Sequence, residues 1–362
     1  MFKVFVADKL APEGIEALQQ YPELEVTFEP GLSPNEAKKF VEDADAIIVR
    51  SATKMKGMLL ESAKRAKVIG RAGIGVDNID LDVATERGIV VLNTPDANAT
   101  TTAELAVAHM FSLSRNLPKA DGSVRSGLWE RNNFLGIELT GKTVGVVGFG
   151  TIGRLFSEKC IGLGMNVIGF DPFVTEETFR SYNISKVDLD ELLANSDYVS
   201  LHCPVTDDTR NLINEVNLRL MKKGAHIINC ARGGLIDENA LLEAVEDGNL
   251  AGAALDVFEN EPPGDSPLFR CDKIQFTPHL GASTHEAQTA VGVEIAHNIA
   301  SYLIKGQVIN AVNIPSIDQG KEEQFLPFIE LGKKLGVLLN ALSEGSVSSI
   351  EVSSYGEVNK LD

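Results

Sequence analysis

The stretch Thr143-Val-Gly-Val-Val-Gly-Phe-Gly-Thr-Ile-Gly-Arg154, which continues to Asn166-Val-Ile-Gly-Phe-Asp171, decides the fold of this chain. The β-branched run 144–147 predicts a buried strand, which leads into a glycine turn and then into a helix over 154–163. A second apolar run, 167–170, predicts another strand and ends on an acid. Strand, glycine turn, helix, strand and acid follow one another as they do in a βαβ unit that binds a dinucleotide.

The glycines of this turn have the spacing that a pyrophosphate requires. Gly148 allows the tight turn, Gly150 lets the backbone approach the ligand, and Gly153 lets the helix pack closely on the strand. The chain holds 32 glycines, so the bare pattern is weak evidence. However, Asp171 follows Gly153 by 18 residues (171 − 153), close to the roughly 20 typical of such sites. Its carboxylate would bind the adenine ribose and repel a 2′-phosphate, which predicts NAD rather than NADP as the cofactor.

Composition limits the classes of function. The 362 residues allow two or three domains, and the net charge of −18 argues against nucleic acid and against an anionic membrane as partners. No apolar run approaches the roughly 18 residues of a membrane span, and the first residues turn acidic too early for a signal peptide. No metal-binding spacing occurs among the cysteines, so a cytoplasmic protein with reduced thiols is expected, at Cys160, Cys203, Cys230 and Cys271.

Residues 1–98 alternate short apolar strands with helices. This pattern predicts a parallel sheet that is covered on both faces, with strands at 3–7, 24–28, 46–50, 68–75 and 89–93. Ligands bind beyond the carboxyl ends of such strands, where Arg50 and Arg71 lie. Taken singly, each arginine is better explained by an ion pair with one of the 51 acidic residues.

A long, mostly apolar helix is predicted over 98–117, buried between domains or subunits. His109 within it is better explained as a buried core histidine than as a catalyst. A polar arm, 120–139, follows and holds the only tryptophan, Trp129. An exposed tryptophan would anchor a dimer, and ordinary packing explains this residue equally well.

From Val144 onward the pattern predicts six strands, the number in a complete dinucleotide-binding fold. A helix at 286–305 then leads back to the first domain. We therefore expect a split substrate domain (1–98 and 288–313) with an inserted NAD domain (99–287), which makes an α/β protein of two doubly wound parallel sheets. Beyond 314, a helix at 325–339 and a strand-like alternation at 346–356 predict the start of a third, incomplete domain within 314–362.

Three residues at strand ends have the chemistry to oxidise a 2-hydroxy acid. His279 follows a strand end and is a suitable base, and Arg232 offers a fork that suits a carboxylate. Glu261, on the loop after the intervening strand, would orient the histidine. His202 also follows a strand end but is less well placed. Spacing alone does not distinguish the trio from three ordinary loop residues.

Three ordered motifs resemble the D-isomer-specific 2-hydroxyacid dehydrogenases. They are Asn229-Cys-Ala-Arg-Gly-Gly234, Ala254-Leu-Asp-Val-Phe-Glu-Asn-Glu-Pro-Pro263 and Thr277-Pro-His-Leu-Gly-Ala-Ser-Thr284. The resemblance runs over about residues 1–313 and implies that Arg232 binds the substrate, with His279 as acid/base and Glu261 as its partner. It also implies a cofactor site of Gly148, Gly150, Thr151, Ile152, Gly153, Asp171, Cys203, Cys230, Ala231, Arg232, Asp256, His279 and Ala282.

Within that family the chain is most similar to the members that act on 3-phospho-D-glycerate. The residues that carry this are Val49-Arg-Ser-Ala-Thr-Lys54, Gly70-Arg-Ala-Gly-Ile-Gly-Val-Asp-Asn-Ile79 and Trp129-Glu-Arg131. The resemblance implies that Arg50, Arg71 and Arg131 face the substrate phosphate and that the enzyme makes 3-phosphohydroxypyruvate for serine synthesis. From Trp129 in its arm beside the apolar helix 98–117, we expect a homodimer or homotetramer. Two alternatives remain: the same chemistry on glycerate, glyoxylate or D-lactate, and an NAD-responsive corepressor-like binding protein.

Overall fold

The apolar runs near the start of the chain form one parallel sheet, in the order β2-β1-β3-β4-β5. The structure, a computed structural model, describes residues 1–314 and 322–342. This first sheet confirms the predicted strands, which are β1 (Phe2–Val6), β2 (Leu24–Phe28), β3 (Ala46–Val49), β4 (Val68–Arg71) and β5 (Val90–Leu92). Its helices within the first hundred residues are α1 (Pro12–Gln19), α2 (Pro34–Asp43), α3 (Gly57–Ser62) and α4 (Leu81–Glu86).

The two faces of the first sheet are covered by helices from different parts of the chain. On one face, Ile47 and Val49 of β3 pack with buried residues of α2, α3 and α4. On the other face, Ile48 packs with α1 and with a long helix from near the end of the described chain, α12 (His285–Lys305). The alternation follows from strand geometry, since successive side chains point to opposite faces.

Helices α1 and α12 touch through glycine. A Cβ on Gly14 would lie 2.8 Å from the carbonyl carbon of Gly292, so the two backbones are in direct contact at this point. Beyond α12 the chain stays at this sheet, because Ala311 bridges Leu92 in antiparallel fashion and the side chain of Asn313 accepts a hydrogen bond from the Val91 N–H.

The second sheet has seven parallel strands in the order β12-β11-β10-β9-β6-β7-β8. The strands are β6 (Thr143–Val147), β7 (Asn166–Phe170), β8 (Ser185–Lys186), β9 (Tyr198–Leu201), β10 (Ala225–Asn229), β11 (Leu250–Leu255) and β12 (Ile274–Phe276). The expected number of six was wrong by one, because β8 is a two-residue polar edge strand without an apolar run. The class, two doubly wound parallel sheets, is confirmed.

The predicted buried helix over 98–117 is α5 (Ala99–Arg115), and its buried residues include Ala103, Ala106, His109 and Met110. The other helices of this part are α6 (Leu117–Arg125), α7 (Thr151–Gly162), α8 (Glu176–Ser181), α9 (Leu189–Asn195), α10 (Glu215–Leu220) and α11 (Glu238–Glu246). The segment 120–139 is not a simple arm. It contains the end of α6 and a 3-10 turn, Arg131–Phe134, because Asn116 in the left-handed region (φ 52°) ends α5 and allows a new helix to start.

The helix predicted over 325–339 is present as α13 (Glu322–Leu342). The alternating segment 346–356, predicted as a strand, lies outside the described residues. None of the helices in residues 1–314 and 322–342 is long and apolar enough to cross a membrane.

Candidate active site

Five of the predicted site residues lie at carboxyl ends of strands. Arg50 directly follows β3 and Arg71 ends β4 in the first sheet, whereas Arg232, Glu261 and His279 follow β10, β11 and β12 in the second. One ion pair joins the two groups, because Arg232 Nε donates to Asp77 Oδ2 at 3.1 Å. The charge of Arg232 also lowers the pKa of both Glu261 and Arg71. Arg232 is therefore near enough to both Glu261 and Arg71 for its charge to act on each of them.

His279 and Glu261 form a direct pair, with 2.6 Å between Nδ1 and Oε2. The other carboxylate oxygen, Oε1, accepts a hydrogen bond from the Phe258 N–H at 3.1 Å. Burial raises the pKa of Glu261, but the hydrogen bond and charge of His279 outweigh burial, so the pKa lies below its ordinary value. Because Nδ1 of the ring faces Glu261, the opposite nitrogen, Nε2, is left for a substrate.

The loop that carries His279 is held by the buried carboxylate of Asp256. This side chain is fully buried and accepts hydrogen bonds from the N–H groups of Leu280, at 2.7 Å, and Gly281, at 2.9 Å. The Asp256 backbone carbonyl accepts from the N–H of His279 at 2.9 Å. His279 itself has φ 54°, a left-handed conformation that a residue with a side chain rarely adopts. The surrounding hydrogen bonds hold it there.

Arg232 is fixed by its own backbone and by a glycine of the first sheet's loop. Its Nη1 donates to the carbonyl of Ala231 at 2.7 Å, and its carbonyl accepts from Asn229 Nδ2 at 2.8 Å. A Cβ on Gly75 would lie 1.7 Å from Nη2, so only glycine at this position allows the guanidinium to approach. The fork is thus oriented before any ligand arrives.

Arg71 is a buried cation without a matching anion. Burial and, to a lesser extent, the charges of Arg232 and Arg50 lower the pKa of its guanidinium to about 10. Its Nε is buried without a hydrogen-bond partner, and Gly73 leaves room for the guanidinium, because a Cβ there would lie 1.6 Å from Nη1. Within residues 1–314 and 322–342, no carboxylate forms an ion pair with Arg71 or Arg50. We call Arg50, Arg71 and Arg232 the arginine cluster.

Arg50 shares this shortage of negative charge. Burial lowers the pKa of its guanidinium, and the nearby charge of Asp8 offsets this only in part. The Asp8 carboxylate is instead used by the backbone, since it accepts from the N–H groups of Arg50, at 2.6 Å, and Thr53, at 3.1 Å. The arginine cluster therefore has the charge and the free donors to bind an anion.

Arg131 lies elsewhere. It begins the 3-10 turn of the arm, is exposed, and has no described contact with the arginine cluster. Beside it the side chain of Trp129 is 80% exposed. The structure thus brings Arg50, Arg71, Arg232, Glu261 and His279 together in one chain and does not bring Arg131 to them.

The glycine turn after β6 has the shape that a dinucleotide requires. Gly148 has φ 92°, and a Cβ there would lie 2.7 Å from the Cys203 nitrogen. A Cβ on Gly153 would lie 2.1 Å from the Gly148 carbonyl oxygen, whereas a Cβ on Gly150 would meet nothing within 4 Å. Gly150 is the N-cap of α7 and provides no side-chain cap. Open space beside free N–H groups of a 12-residue helix suits a phosphate.

Asp171 follows β7 and is hydrogen-bonded to the glycine turn. Its Oδ2 accepts from the Phe149 N–H at 2.9 Å, and its Oδ1 accepts from the Phe173 N–H at 2.9 Å. These bonds hold the carboxylate beside the glycine turn. The residues present therefore fit a dinucleotide with an unphosphorylated ribose.

The remaining predicted cofactor residues also cluster at strand ends of the second sheet. Cys203 follows β9 and Cys230 follows β10. Burial raises the pKa of the Cys203 thiol to about 11 and that of Cys230 well above its ordinary range. Both thiols are therefore neutral and apolar in character. Thr151 and Ile152 form the first turn of α7, while Ala231 and Ala282 lie on the loops that carry Arg232 and His279.

Sequence reasoning missed Asp77 and placed His109 outside the site. Asp77 stands within the motif 70–79, so an acid in the same motif as Arg71 was the available signal. The ring of His109 is buried and contacts Thr277, two residues before His279. His202 is not a base in this structure, because burial lowers its pKa to about 3.

The sequence model of the NAD-binding domain of the D-isomer specific 2-hydroxyacid dehydrogenases matches residues 107–281. The full chain also aligns with relatives of this family at more than 40% identity. The chain belongs to the D-isomer specific 2-hydroxyacid dehydrogenases, and NAD is the cofactor of its second sheet.

The relatives include a D-3-phosphoglycerate dehydrogenase of Methanocaldococcus jannaschii, 45% identical over 99% of this chain and 68% of that protein. A D-3-phosphoglycerate dehydrogenase of Archaeoglobus fulgidus is 44% identical over 98% of this chain and 68% of its own length. Among solved structures, a D-lactate dehydrogenase from Aquifex aeolicus complexed with NAD and lactic acid is similar, with a TM-score of 0.74 and 30% identity. That match covers 87% of this chain and 100% of the other.

Proposed function

We propose that this chain oxidises 3-phospho-D-glycerate to 3-phosphohydroxypyruvate with NAD, the first step of L-serine synthesis. The observation that carries the proposal is the arginine cluster near the His279–Glu261 pair, in which Arg50 and Arg71 form no ion pair with any described carboxylate. One cation next to the base suits a carboxylate, and two further cations suit a second anionic group on the same substrate. The names of the relatives agree with this substrate.

The oxidation needs a base, a carboxylate anchor and a hydride acceptor, which NAD supplies when it is bound. Nε2 of His279 removes the proton of the C2 hydroxyl, while Glu261 keeps the ring oriented and stabilises the imidazolium that forms. The Arg232 fork binds the substrate carboxylate and holds C2 beside the base. In the reverse direction His279 returns the proton to the carbonyl oxygen.

Phosphate recognition is assigned to Arg50, Arg71 and Arg131, as the motifs predict. Arg50 and Arg71 lie in the cluster, and an anion there would neutralise charges that now repel one another. The cofactor assignment likewise stays a proposal for individual residues. The glycine turn, with Thr151 and Ile152, would bind the pyrophosphate, and Asp171 the adenine ribose. The nicotinamide would lie near Cys203, Cys230, Ala231, Asp256 and Ala282.

A coupled assay that follows NADH absorbance tests the substrate. We expect rapid oxidation of 3-phosphoglycerate and much slower oxidation of glycerate and D-lactate, because neither of these fills the phosphate site. Equal rates with glycerate would contradict the phosphate assignment and leave a 2-hydroxyacid dehydrogenase with another substrate.

We also propose a homodimer or homotetramer that assembles through the arm. Its exposed apolar side chains are Val124, Leu128, Trp129, Leu135 and Ile137, and apolar surface of this kind marks an interface. Light scattering should give at least twice the monomer mass of 39.0 kDa. A monomer at micromolar concentration would contradict this assembly. Cytoplasmic location, the absence of a nucleic-acid partner and the division at 98/99 and 287/288 stay predictions.

A further inference from the structure

Three side chains of α5 bind the loop that carries His279. Thr101 Oγ1 lies 3.3 Å from Thr284 Oγ1, and Thr102 Oγ1 donates to the carbonyl of Gly281 at 2.9 Å. The third contact is deeper, with 3.0 Å between His109 Nε2 and Thr277 Oγ1. Helix α5 is therefore hydrogen-bonded to the segment 277–284 on both sides of His279.

The hydrogen bond of His109 is one end of a chain that finishes at Asp256. The hydroxyl of Thr277 donates to Asp256 Oδ1 at 2.5 Å. A hydroxyl has one proton, so the Thr277 oxygen must accept the bond from His109. The direction is thus fixed: His109 Nε2–H donates to Thr277, and Thr277 donates to Asp256.

The receiving carboxylate holds the catalytic loop directly. Besides Thr277, Asp256 accepts from the N–H groups of Leu280 and Gly281, and its backbone carbonyl accepts from the N–H of His279. Every described donor to this carboxylate therefore comes from the segment 277–281. Linked hydrogen bonds polarise one another in a buried setting, and Asp256 and His109 are 0% and 5% exposed.

We propose that His109 is a positioning residue, which acts through Thr277 and Asp256 to keep His279 in its left-handed backbone conformation and in reach of the substrate. The inference rests on the proposed function, since the reaction of His279 is what it positions. Without the donor at position 109, the Thr277 hydroxyl can turn and the loop loses part of what maintains φ 54° at His279. Small displacements of a base lower turnover strongly.

Two pairs of variants test this. His109→Leu removes the donor, whereas His109→Gln keeps an N–H near the position of Nε2. Thr277→Val removes the hydroxyl, and Thr277→Ser keeps it. The matched control is His226→Leu, which also removes a buried imidazole. His226 stacks on Tyr198 with 5.0 Å between ring centroids and has no described contact with the loop of His279.

We expect His109→Leu and Thr277→Val each to lower kcat by about tenfold with the KM for 3-phosphoglycerate little changed. His109→Gln and Thr277→Ser should keep most of the turnover. The double variant His109→Leu/Thr277→Val should be no slower than either single variant, because both changes break the same chain. Thermal unfolding of all variants, with His226→Leu as reference, separates a general loss of stability from a loss of position.

Three results would overturn the inference. The first is a kcat in His109→Leu equal to that of the wild type, and the second is a fall of kcat in His226→Leu as large as in His109→Leu. The third is a fall of kcat in the double variant that equals the product of the two single falls. Should His109→Leu fail to fold, the comparison of Thr277→Val with Thr277→Ser decides alone, and equal kcat in these two overturns it.

The wild-type protein separates this inference from the proposed function. If it oxidises another 2-hydroxy acid and not 3-phosphoglycerate, the substrate proposal fails and the variants are compared on that acid. If it oxidises none, the proposed function fails. Titration with NADH then decides. We expect Thr277→Val to bind NADH more weakly than Thr277→Ser, and equal binding by the two variants would overturn the inference.

Discussion

The His279–Glu261 pair and the two arginines at positions 50 and 71 differ in whether their charges are paired within the protein. The pair is complete without a ligand, because the histidine has its carboxylate at 2.6 Å and the carboxylate has a second donor from the backbone. The two arginines have free donors, no ion pair among the described residues and pKa values lowered by burial.

This difference indicates which part of the reaction each group serves. A base must be oriented before the substrate arrives, since orientation contributes directly to the rate. A cation that binds a remote phosphate can remain unpaired, because the substrate itself supplies the missing charge. We therefore expect changes to the pair to alter turnover and changes to the unpaired arginines to alter affinity.

The largest effect should follow removal of the base. His279→Ala should lower kcat by about a hundredfold or more, the usual scale for loss of a general base, with little change in NADH binding. Steady-state assays and a fluorescence titration of NADH check this. A kcat within a few fold of the wild type would show that another group takes the proton.

Next comes the loss of a phosphate-binding cation. Arg50→Ala should raise the KM for 3-phosphoglycerate by about tenfold or more, the value of a charge-assisted hydrogen bond, with a smaller effect on kcat. Glycerate serves as the matched control substrate, because it lacks the phosphate. Arg131→Ala should likewise raise the KM for 3-phosphoglycerate, and an unchanged KM would remove Arg131 from the phosphate site. Equal losses with both substrates would contradict the phosphate role.

A smaller effect is expected at Asp171. Like Glu261, this carboxylate is already held by hydrogen bonds within the protein, because its oxygens accept backbone N–H groups. Asp171→Ala should narrow the preference for NAD over NADP by removing the carboxylate that repels a 2′-phosphate. The ratio of kcat/KM for the two cofactors measures this. Equal use of NAD and NADP by the unchanged protein would refute the assignment.

The smallest effect concerns Asp77, the exposed carboxylate that pairs with Arg232. An exposed ion pair contributes at most about 1 kcal/mol, and here it places a negative charge beside the proposed carboxylate site. Asp77→Asn should therefore lower the KM for 3-phosphoglycerate by about twofold to threefold and leave kcat unchanged. A higher KM would mean instead that Asp77 orients Arg232 for the substrate.

What could be predicted from the sequence depended on how far apart the interacting residues lie. The cofactor turn is contiguous from β6 to Asp171, so one stretch carries the whole pattern. The positions of Arg232, Glu261 and His279 beyond strand ends were predictable because each follows an apolar strand, whereas only the family resemblance singled them out as a catalytic trio. The edge strand β8 has no such pattern and was missed.

Contacts between distant residues left no local pattern. His109 and Thr277 are 168 positions apart, and an isolated histidine on a buried helix face does not indicate its partner. The same holds for Asp77 and Arg232, which are 155 positions apart. Arg131 was grouped with Arg50 and Arg71 by resemblance alone, and the geometry of one chain does not join them.

The position of α12 has a consequence for how the protein is made. Every strand of the second sheet, together with α5, lies before residue 285, whereas one face of the first sheet needs Val291, Ile295 and Ile299 from α12. During synthesis the chain emerges from its amino end, so the sheet that is made first is finished last. Until α12 leaves the ribosome, α1 alone can cover the apolar face around Val4, Val6 and Ile48, and the rest of that face stays open to water and to any chaperone that recognises such surfaces.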